Sequence, residues 1–288
     1  MDINALQAFV EVARQGSFSK AADLLFVTQP AVSKRIAALE DELQARLFDR
    51  IGKNITLTET GGELLPRARR LLLEADEMKR IASSLSTSVG GRLLMGTSHH
   101  IGLHRLPPVL KAFHNQYPKV ILDLRFMDSE QAFQAVEQGE LELAIVTLPS
   151  ATPPNLEVQT IWIDLLEVVT AADHPLASQQ QVSLQTLAEY PAVLPGPQTY
   201  TRQILQQELQ RLGLKLDTTL STNYLETLKM LVMTGLGWSL LPNTMIDGKL
   251  HKLKTELKIE RQLGSVIHHK RTLSNAARAM LSIAHNSK

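Results

Sequence analysis

A chain of 288 residues, 44% of them hydrophobic, can bury a sizeable core and is too long for one small helical module, so at least two domains are expected. The absence of cysteine excludes a disulfide framework, a thiolate metal site and a cysteine redox switch, which leaves any oxidant sensing to methionine. With 30 Lys and Arg against 29 Asp and Glu, a net charge of +1 excludes bulk basicity as a means of holding a polyanion, so charge placement must carry that argument.

A first helix is predicted from 2 to about 15, with Asp2 as its cap, Leu6, Phe9, Val10 and Ala13 on one face, and Gly16 as its stop. A short alanine-rich helix follows at 19 to about 26, where Ala21, Ala22 and Leu25 can pack closely on a neighbour. The next helix opens on Thr28 as cap, has Pro30 in its first turn, and carries Val32, Ile36, Leu39 and Leu43 as one narrow core stripe. Its other face bears Gln29, Pro30, Ser33 and Lys34, with Arg35 on the flank. The two helices read as a helix-turn-helix, with Gln29, Pro30 and Ser33 near base edges and Lys34 and Arg35 at phosphates. After Leu47 and Phe48, a glycine turn between extended residues reads as a small β wing that offers Arg50 and Lys53 to the backbone. Alanine-rich helix pairs with stray cations are ordinary in helical domains, but cap, reading face, turn and wing together favour DNA. Glu40, Asp41 and Glu42 at the far end of the second helix limit one head's charge, so two or more heads are expected to act together.

From 58 to about 88, Leu64, Leu71, Met78 and Leu85 recur every seven residues, and Ala68, Ala75 and Ala82 interleave with them. This is a coiled-coil seam of alternating large and small layers; a helix packed on its own domain would hide the same stripe. Pro66 removes the bond to Gly62 and is expected to kink the helix after its glycine pair. A polar, glycine-bearing break at 86–91 reads as a linker.

Beyond it strands and helices alternate: strands at 92–98, 120–126, 141–147, 165–171, 191–196, 237–242 and 264–269, with helices at 106–115, 129–138, 201–212, 224–234 and 274–284. Mainly parallel sheets flanked by helices are expected. Ligands of such sheets gather beyond the carboxyl ends of the strands. Thr97, Ser98, His99 and His100 follow the first strand, Asp128 and Ser129 precede one helix, Gln198, Thr199 and Tyr200 precede another, and Thr147 and Asn223 complete the wall. Each hydroxyl reads equally well as a helix cap, but helix N-termini converging on one cleft favour an anionic group such as a carboxylate. The pairs His99–His100 and His268–His269 read as extended, where neighbours point oppositely and cannot chelate as a helical i,i+4 pair does, so no metal and no cofactor is expected. His99 or His100 reads instead as a hydrogen-bonding or pH-sensitive group, or as plain surface. A Ser98–histidine pair has neither a GxSxG elbow nor an orienting carboxylate at recognisable spacing, so no enzyme is expected.

The FxxVA pattern at Phe9 to Ala13, the run GSFSKAADLLFVTQPAVSKRIAALEDELQARLFDR at Gly16 to Arg50, and LTxxG at Leu57 to Gly61 resemble the LysR-type transcriptional regulators, and the resemblance extends along the whole chain. It implies an α/β fold: a winged helix-turn-helix at 1–58, a dimerisation linker helix and hinge at 59–91, and a two-lobed periplasmic-binding-protein-like (type 2) effector domain at 92–288. Its lobes would be 92–162 with 267–288, and 163–266, a return of the chain that only the resemblance supplies. It favours the dimer seam for Leu64, Ala68, Leu71, Ala75, Met78, Ala82 and Leu85. By resemblance the chain is a sequence-specific regulator on double-stranded DNA, controlled by a small metabolite between the lobes, assembled as a dimer or tetramer, with RNA polymerase as a further partner. No run approaches a membrane span and the chain opens on a capped amphipathic helix, not a signal-peptide pattern, so a cytoplasmic, nucleoid-associated protein is expected. A metabolite binder without a DNA role, or an enzyme with a helical appendage, would leave Ser17 to Arg50 unexplained.

Overall fold

In the computed structural model, which describes residues 1–51, 54–84, 89–211, 213–215 and 217–287, Asp2 accepts a hydrogen bond from the Asn4 N–H at 3.2 Å and starts α1 (Ile3–Gln15). Gly16, at φ 59°, ends it. The Ser17 hydroxyl caps α2 (Phe18–Leu24), and α3 (Gln29–Leu43) begins after Thr28. Contrary to expectation, the Thr28 side chain makes no capping bond; its carbonyl accepts from Ala31 and Val32, and Pro30 sets the first turn. Val32, Ile36 and Leu39 are buried with Phe9, Val12, Ala21 and Ala22 in one core.

The wing is the antiparallel hairpin β1 (Phe48–Ile51) and β2 (Asn54–Leu57). Glu40 ties it to α3 by accepting from the Leu47 and Phe48 N–H groups at 2.7 and 3.3 Å, and the Phe48 ring meets Phe9 and Phe18 edge-on. The long helix α4 (Glu59–Ser84) takes in the glycine pair, and Pro66 lies inside it. The Thr58 hydroxyl accepts from the Gly61 N–H at 2.9 Å, and Gly61 lets α4 approach the wing, since a Cβ there would lie 2.2 Å from the Leu47 carbonyl oxygen. Ala68 is buried against the head core, with Leu64, Leu65 and Leu72 packed beside it.

The chain divides into two units, Met1–Ser86 and Thr87–Lys288. The second contains β3 (Gly91–Thr97), α5 (His99–His104), α6 (Leu106–Gln116), β4 (Val120–Phe126), α7 (Ser129–Glu137), β5 (Leu143–Thr147), β6 (Leu156–Ala171), α8 (Leu184–Ala188), β7 (Ala192–Leu194), α9 (Tyr200–Arg211), β8 (Thr218–Ser221), α10 (Leu225–Met233), β9 (Ser239–Pro242), β10 (Leu250–Lys252), β11 (Ile259–His268) and α11 (Asn275–His285). Strands β4, β3 and β5 are parallel, as are β7 and β8, but β6 and β11 run antiparallel to each other and to their other neighbours. The sheet is therefore mixed, not mainly parallel, because β11 enters between β5 and β6 antiparallel to both, and β9 and β10 pair antiparallel with β6.

These two long strands carry the chain between lobes. One pair of cores holds Met95, Ile145, Trp162 and Leu263 on one side and Val136, Val146 and Val266 on another; the second pair holds Leu166, Trp238 and Ile259, and Val169, Leu228 and Leu241. The changeover falls between Trp162 and Leu166 on β6 and between Ile259 and Leu263 on β11, the latter some residues before the return point the resemblance suggests. Four short elements, α5, α8, β8 and β10, have no counterpart in the sequence reading.

A Gly61→Ala chain should lose about 1–3 kcal/mol of head stability in urea denaturation, the range for overpacking. Gly62→Ala, where a Cβ meets nothing within 4 Å, should be neutral or gain up to about 1 kcal/mol. Equal effects of the two would contradict the close approach of α4 to Leu47.

Candidate functional site

Opposite its buried stripe, α3 presents Gln29, Pro30 and Lys34 to solvent, with Ser33 and Arg35 half-exposed. The Gln29 amide donates to the Ser33 hydroxyl at 2.8 Å, so one helical turn holds these two polar groups together. Arg50 lies in β1 with its side chain outside the described residues, and Lys53 lies outside them altogether. The sequence reading passed over Phe26: in the turn into α3 it adopts φ 53°, rare for a bulky residue, and its ring is 95% exposed. On α4, Ala68 and Leu64 face the head core, whereas Leu71 and Met78 are 45% and 73% exposed, an apolar stripe one heptad apart with Ala75 half-buried between them. The Ala82 side chain and Leu85 fall outside the described residues.

In the second unit, a cavity of about 50 Å³ opens where the carboxyl ends of β3, β5 and β7 meet the starts of α5, α7, α9 and α10. Ser98, His99, His100, Ser129, Thr147, Thr199, Tyr200 and Asn223 all line it, together with Asp128, Glu130, Thr201 and Arg261. Thr97 stands apart: fully buried, it donates to the Ile145 carbonyl at 2.8 Å and joins β3 to β5. Several lining groups serve the scaffold. The Ser129 hydroxyl accepts from the Thr147 N–H at 3.1 Å, and the Thr199 hydroxyl donates to the Gly196 carbonyl at 2.8 Å. Ser98 begins α5 without a capping bond.

Contacts cross the cavity from one lobe to the other. The Asn223 amide donates to Asp128 at 2.7 Å, and the Tyr200 N–H at the start of α9 donates to the Glu130 carboxylate at 2.7 Å. The α9 N-terminus, expected to be open to a ligand, is therefore met by the protein's own carboxylate. Burial pushes the Glu130 pKa above its ordinary value against the lowering effect of that bond. The His99 ring packs edge-on against Tyr224 across the same gap, 4.7 Å between centroids.

Beneath the cavity lies a buried charge cluster that the sequence reading missed. Asp164 on β6 and Arg261 on β11 pair across the two strands, within the changeover between the lobes. The Arg261 guanidinium donates to Asp164 through Nε at 3.3 Å and Nη2 at 3.0 Å, and through Nη1 to the Thr201 hydroxyl at 3.3 Å. Arg105 donates to the other Asp164 oxygen at 2.6 Å, and His100 Nε2 lies 3.3 Å from the carboxylate without hydrogen-bond alignment. Burial opposes the Asp164 charge, but His100, Arg261 and Arg105 outweigh it and hold the carboxyl far below the ordinary aspartate range. Burial pushes the His100 imidazole down. One carboxylate thus faces two permanently charged guanidinia, so the cluster itself is net positive, while Asp128 and Glu130 put carboxylates on the cavity wall above it. The sequence did carry a signal: Asp164 sits inside the apolar run WIDLLEVV, where a charge needs a buried partner.

Histidine geometry also departs from the sequence reading. His99 and His100 lie in the first turn of α5, not on an extended segment, and the stacked His268 and His269 rings lie 5.4 Å apart instead of pointing oppositely.

A family model for the bacterial regulatory helix-turn-helix protein, lysR family, matches residues 3–62, and one for the LysR substrate binding domain matches residues 86–287. A "Probable RuBisCO transcriptional regulator" of Synechocystis is 30% identical over 292 residues, covering 97% of this chain and 84% of that relative. Full-length OxyR from Pseudomonas aeruginosa superimposes with a TM-score of 0.73 at 22% identity, covering all of this chain and 94% of that one. The effector binding domain of QuiR in complex with shikimate gives a TM-score of 0.63 at 18% identity over 69% of this chain and 97% of that domain.

Replacing Asp164 by Asn should cost about 3–5 kcal/mol in chemical denaturation, because the buried Arg261 and the half-buried Arg105 lose their only carboxylate among the described residues. A loss under about 1 kcal/mol would contradict the cluster's role.

Proposed function

We propose, for a chain that belongs to the LysR family of DNA-binding transcriptional regulators, that a small carboxylate-bearing metabolite held between the lobes sets its activity. The observation that carries this reading is Arg261, a buried cation on the cavity wall in a cluster with more guanidinium than carboxylate charge. An effector carboxylate would take N–H groups of Arg261 that Asp164 and Thr201 leave unclaimed, with the Ser98 hydroxyl beside it. It would also compete for the α9 N-terminus that Glu130 holds. A cavity of about 50 Å³ suits a compact ligand, since a water centre needs only about 10–15 Å³. The shikimate carried by the QuiR domain is an acid of this chemical kind.

At the other end, Gln29, Pro30 and Ser33 would meet base edges, and Lys34, Arg35, Arg50 and Lys53 the phosphates. The exposed Leu71 and Met78 of α4 would close on the same stripe of a second copy, pairing two heads on one approximately palindromic site. Control requires the effector to bind one arrangement of the assembly better than another, since equal affinity would shift nothing.

A thermal-shift screen of the full chain against small carboxylates should give a selective hit worth about 2.7 kcal/mol at a hundredfold excess over its Kd. Ser98→Ala should weaken that hit and Glu130→Gln should strengthen it by removing a competitor; the opposite order would sink the carboxylate reading. Because the Glu130 pKa is raised, its proton arrives above the ordinary value of 4.5 as pH falls. Affinity for an acid that stays ionised should therefore rise on lowering the pH from 7 toward 4.5 and be flat in Glu130→Gln, as calorimetry can show.

In DNA-binding titrations, Lys34→Ala and Arg35→Ala should each weaken affinity and reduce the slope of log K against log salt by about 0.9 for each phosphate that is no longer neutralised. An unchanged slope in both would mean that neither side chain meets a phosphate.

A further inference from the structure

Helix α5 turns His100 and His104 into an i,i+4 pair on one face, with ring centroids 4.8 Å apart. From the other lobe, Glu226 in the first turn of α10 reaches the same place, its carboxylate 2.9 Å from His104 Nε2. One donor atom from each of the three lies within 4.8 Å of the others. His100 is 95% buried; its Nδ1 has no hydrogen-bond partner among the described residues, an unusual state for a buried imidazole, and its Nε2 meets the Asp164 carboxylate at 3.3 Å out of hydrogen-bond alignment.

We propose that His100, His104 and Glu226 form a site for one divalent transition-metal ion of the zinc class, bridging the two lobes beside the cavity. Two imidazoles and one carboxylate are the nitrogen and oxygen donors that zinc, cobalt and nickel accept, whereas calcium and magnesium prefer an all-oxygen set. Three protein donors leave a fourth position for water. Tetrahedral zinc with bonds of about 2.1 Å needs donor atoms about 3.4 Å apart, so the cluster has to draw in by roughly an ångström. The exposed His104 side chain has room to do this, and its contact with Glu226 is already short enough. Asp164, 3.3 Å from His100 Nε2, is the kind of carboxylate on which a metal-bound imidazole is oriented through its second nitrogen. An ion here would replace a single hydrogen bond between lobes by a three-point bridge and favour the closed cleft. This site is separate from the effector reading and does not depend on it.

The test is titration of the tag-free full chain with cobalt chloride, followed by visible absorption and by thermal shift, then competition with zinc. One equivalent of bound cobalt with a tetrahedral absorption band, displaced by zinc, is the expected result. His104→Ala and Glu226→Ala, both on accessible side chains, should each weaken binding at least tenfold while keeping the metal-free melting temperature close to that of the parent. Absence of cobalt binding by the parent chain, or unchanged affinity in both variants, would overturn the assignment, the latter because the ion would then sit on other histidines.

Discussion

Asp164 and Arg261 face each other across β6 and β11 where the chain passes from one pair of cores to the other. Buried charges at such a place must be paired, since the protein interior returns little of what water gave them. Meeting that condition draws in four further elements: Arg105 at the start of α6, His100 in α5, Thr201 in α9, and through α9 the Glu130 contact from the opposite lobe. The walls of the cavity are thus held from below by one carboxylate. Because it is outnumbered by guanidinia, the floor stays positive, and the requirement that secures the crossover also prepares the cavity for an anion.

Above this floor the lobes meet through contacts of a different kind. Within each lobe the packing is apolar and buried, involving residues such as Met95, Ile145, Leu166 and Trp238. Between lobes the hydrogen bonds are exchangeable, Asn223 with Asp128, Glu130 with the Tyr200 N–H, and His104 with Glu226, beside edge-on ring contacts of His99 with Tyr224 and Phe133 with Tyr200. A net hydrogen bond is worth about 1 kcal/mol, so a small ligand can compete for such contacts, whereas it could not unpack either core. Rigid lobes with a replaceable seam are what a ligand-responsive cleft requires.

The head was legible because its signals are local. The apolar stripe of α3, the Asp2 cap and the Gly16 stop are each set within a few residues of sequence, and the helix-turn-helix and wing follow from them. Most strands and helices of the second unit were legible by periodicity too. What escaped was decided by distant partners. Helix α5, with the sequence HHIGLH, lacks strong helix formers and has a glycine at its centre, so its histidines read as extended and the i,i+4 pair went unseen. The antiparallel course of β6 and β11 depends on a pairing across about a hundred residues. Arg261 carries no local mark of its place on the cavity wall; its meaning comes from Asp164. The Glu130 contact with the α9 N-terminus likewise joins residues 70 apart, and it changes a site that looked open into one already occupied by the chain itself.

The most direct measurement is a crystal structure of the full chain grown with a bromine-labelled short carboxylic acid, located by its anomalous signal. A bromine peak in the cavity, with the carboxylate within hydrogen-bond distance of Arg261 and the Asp164 pairing intact, is the predicted result. A bromine found only on the outer surface, or in the cavity with its carboxylate turned away from Arg261, would contradict the account.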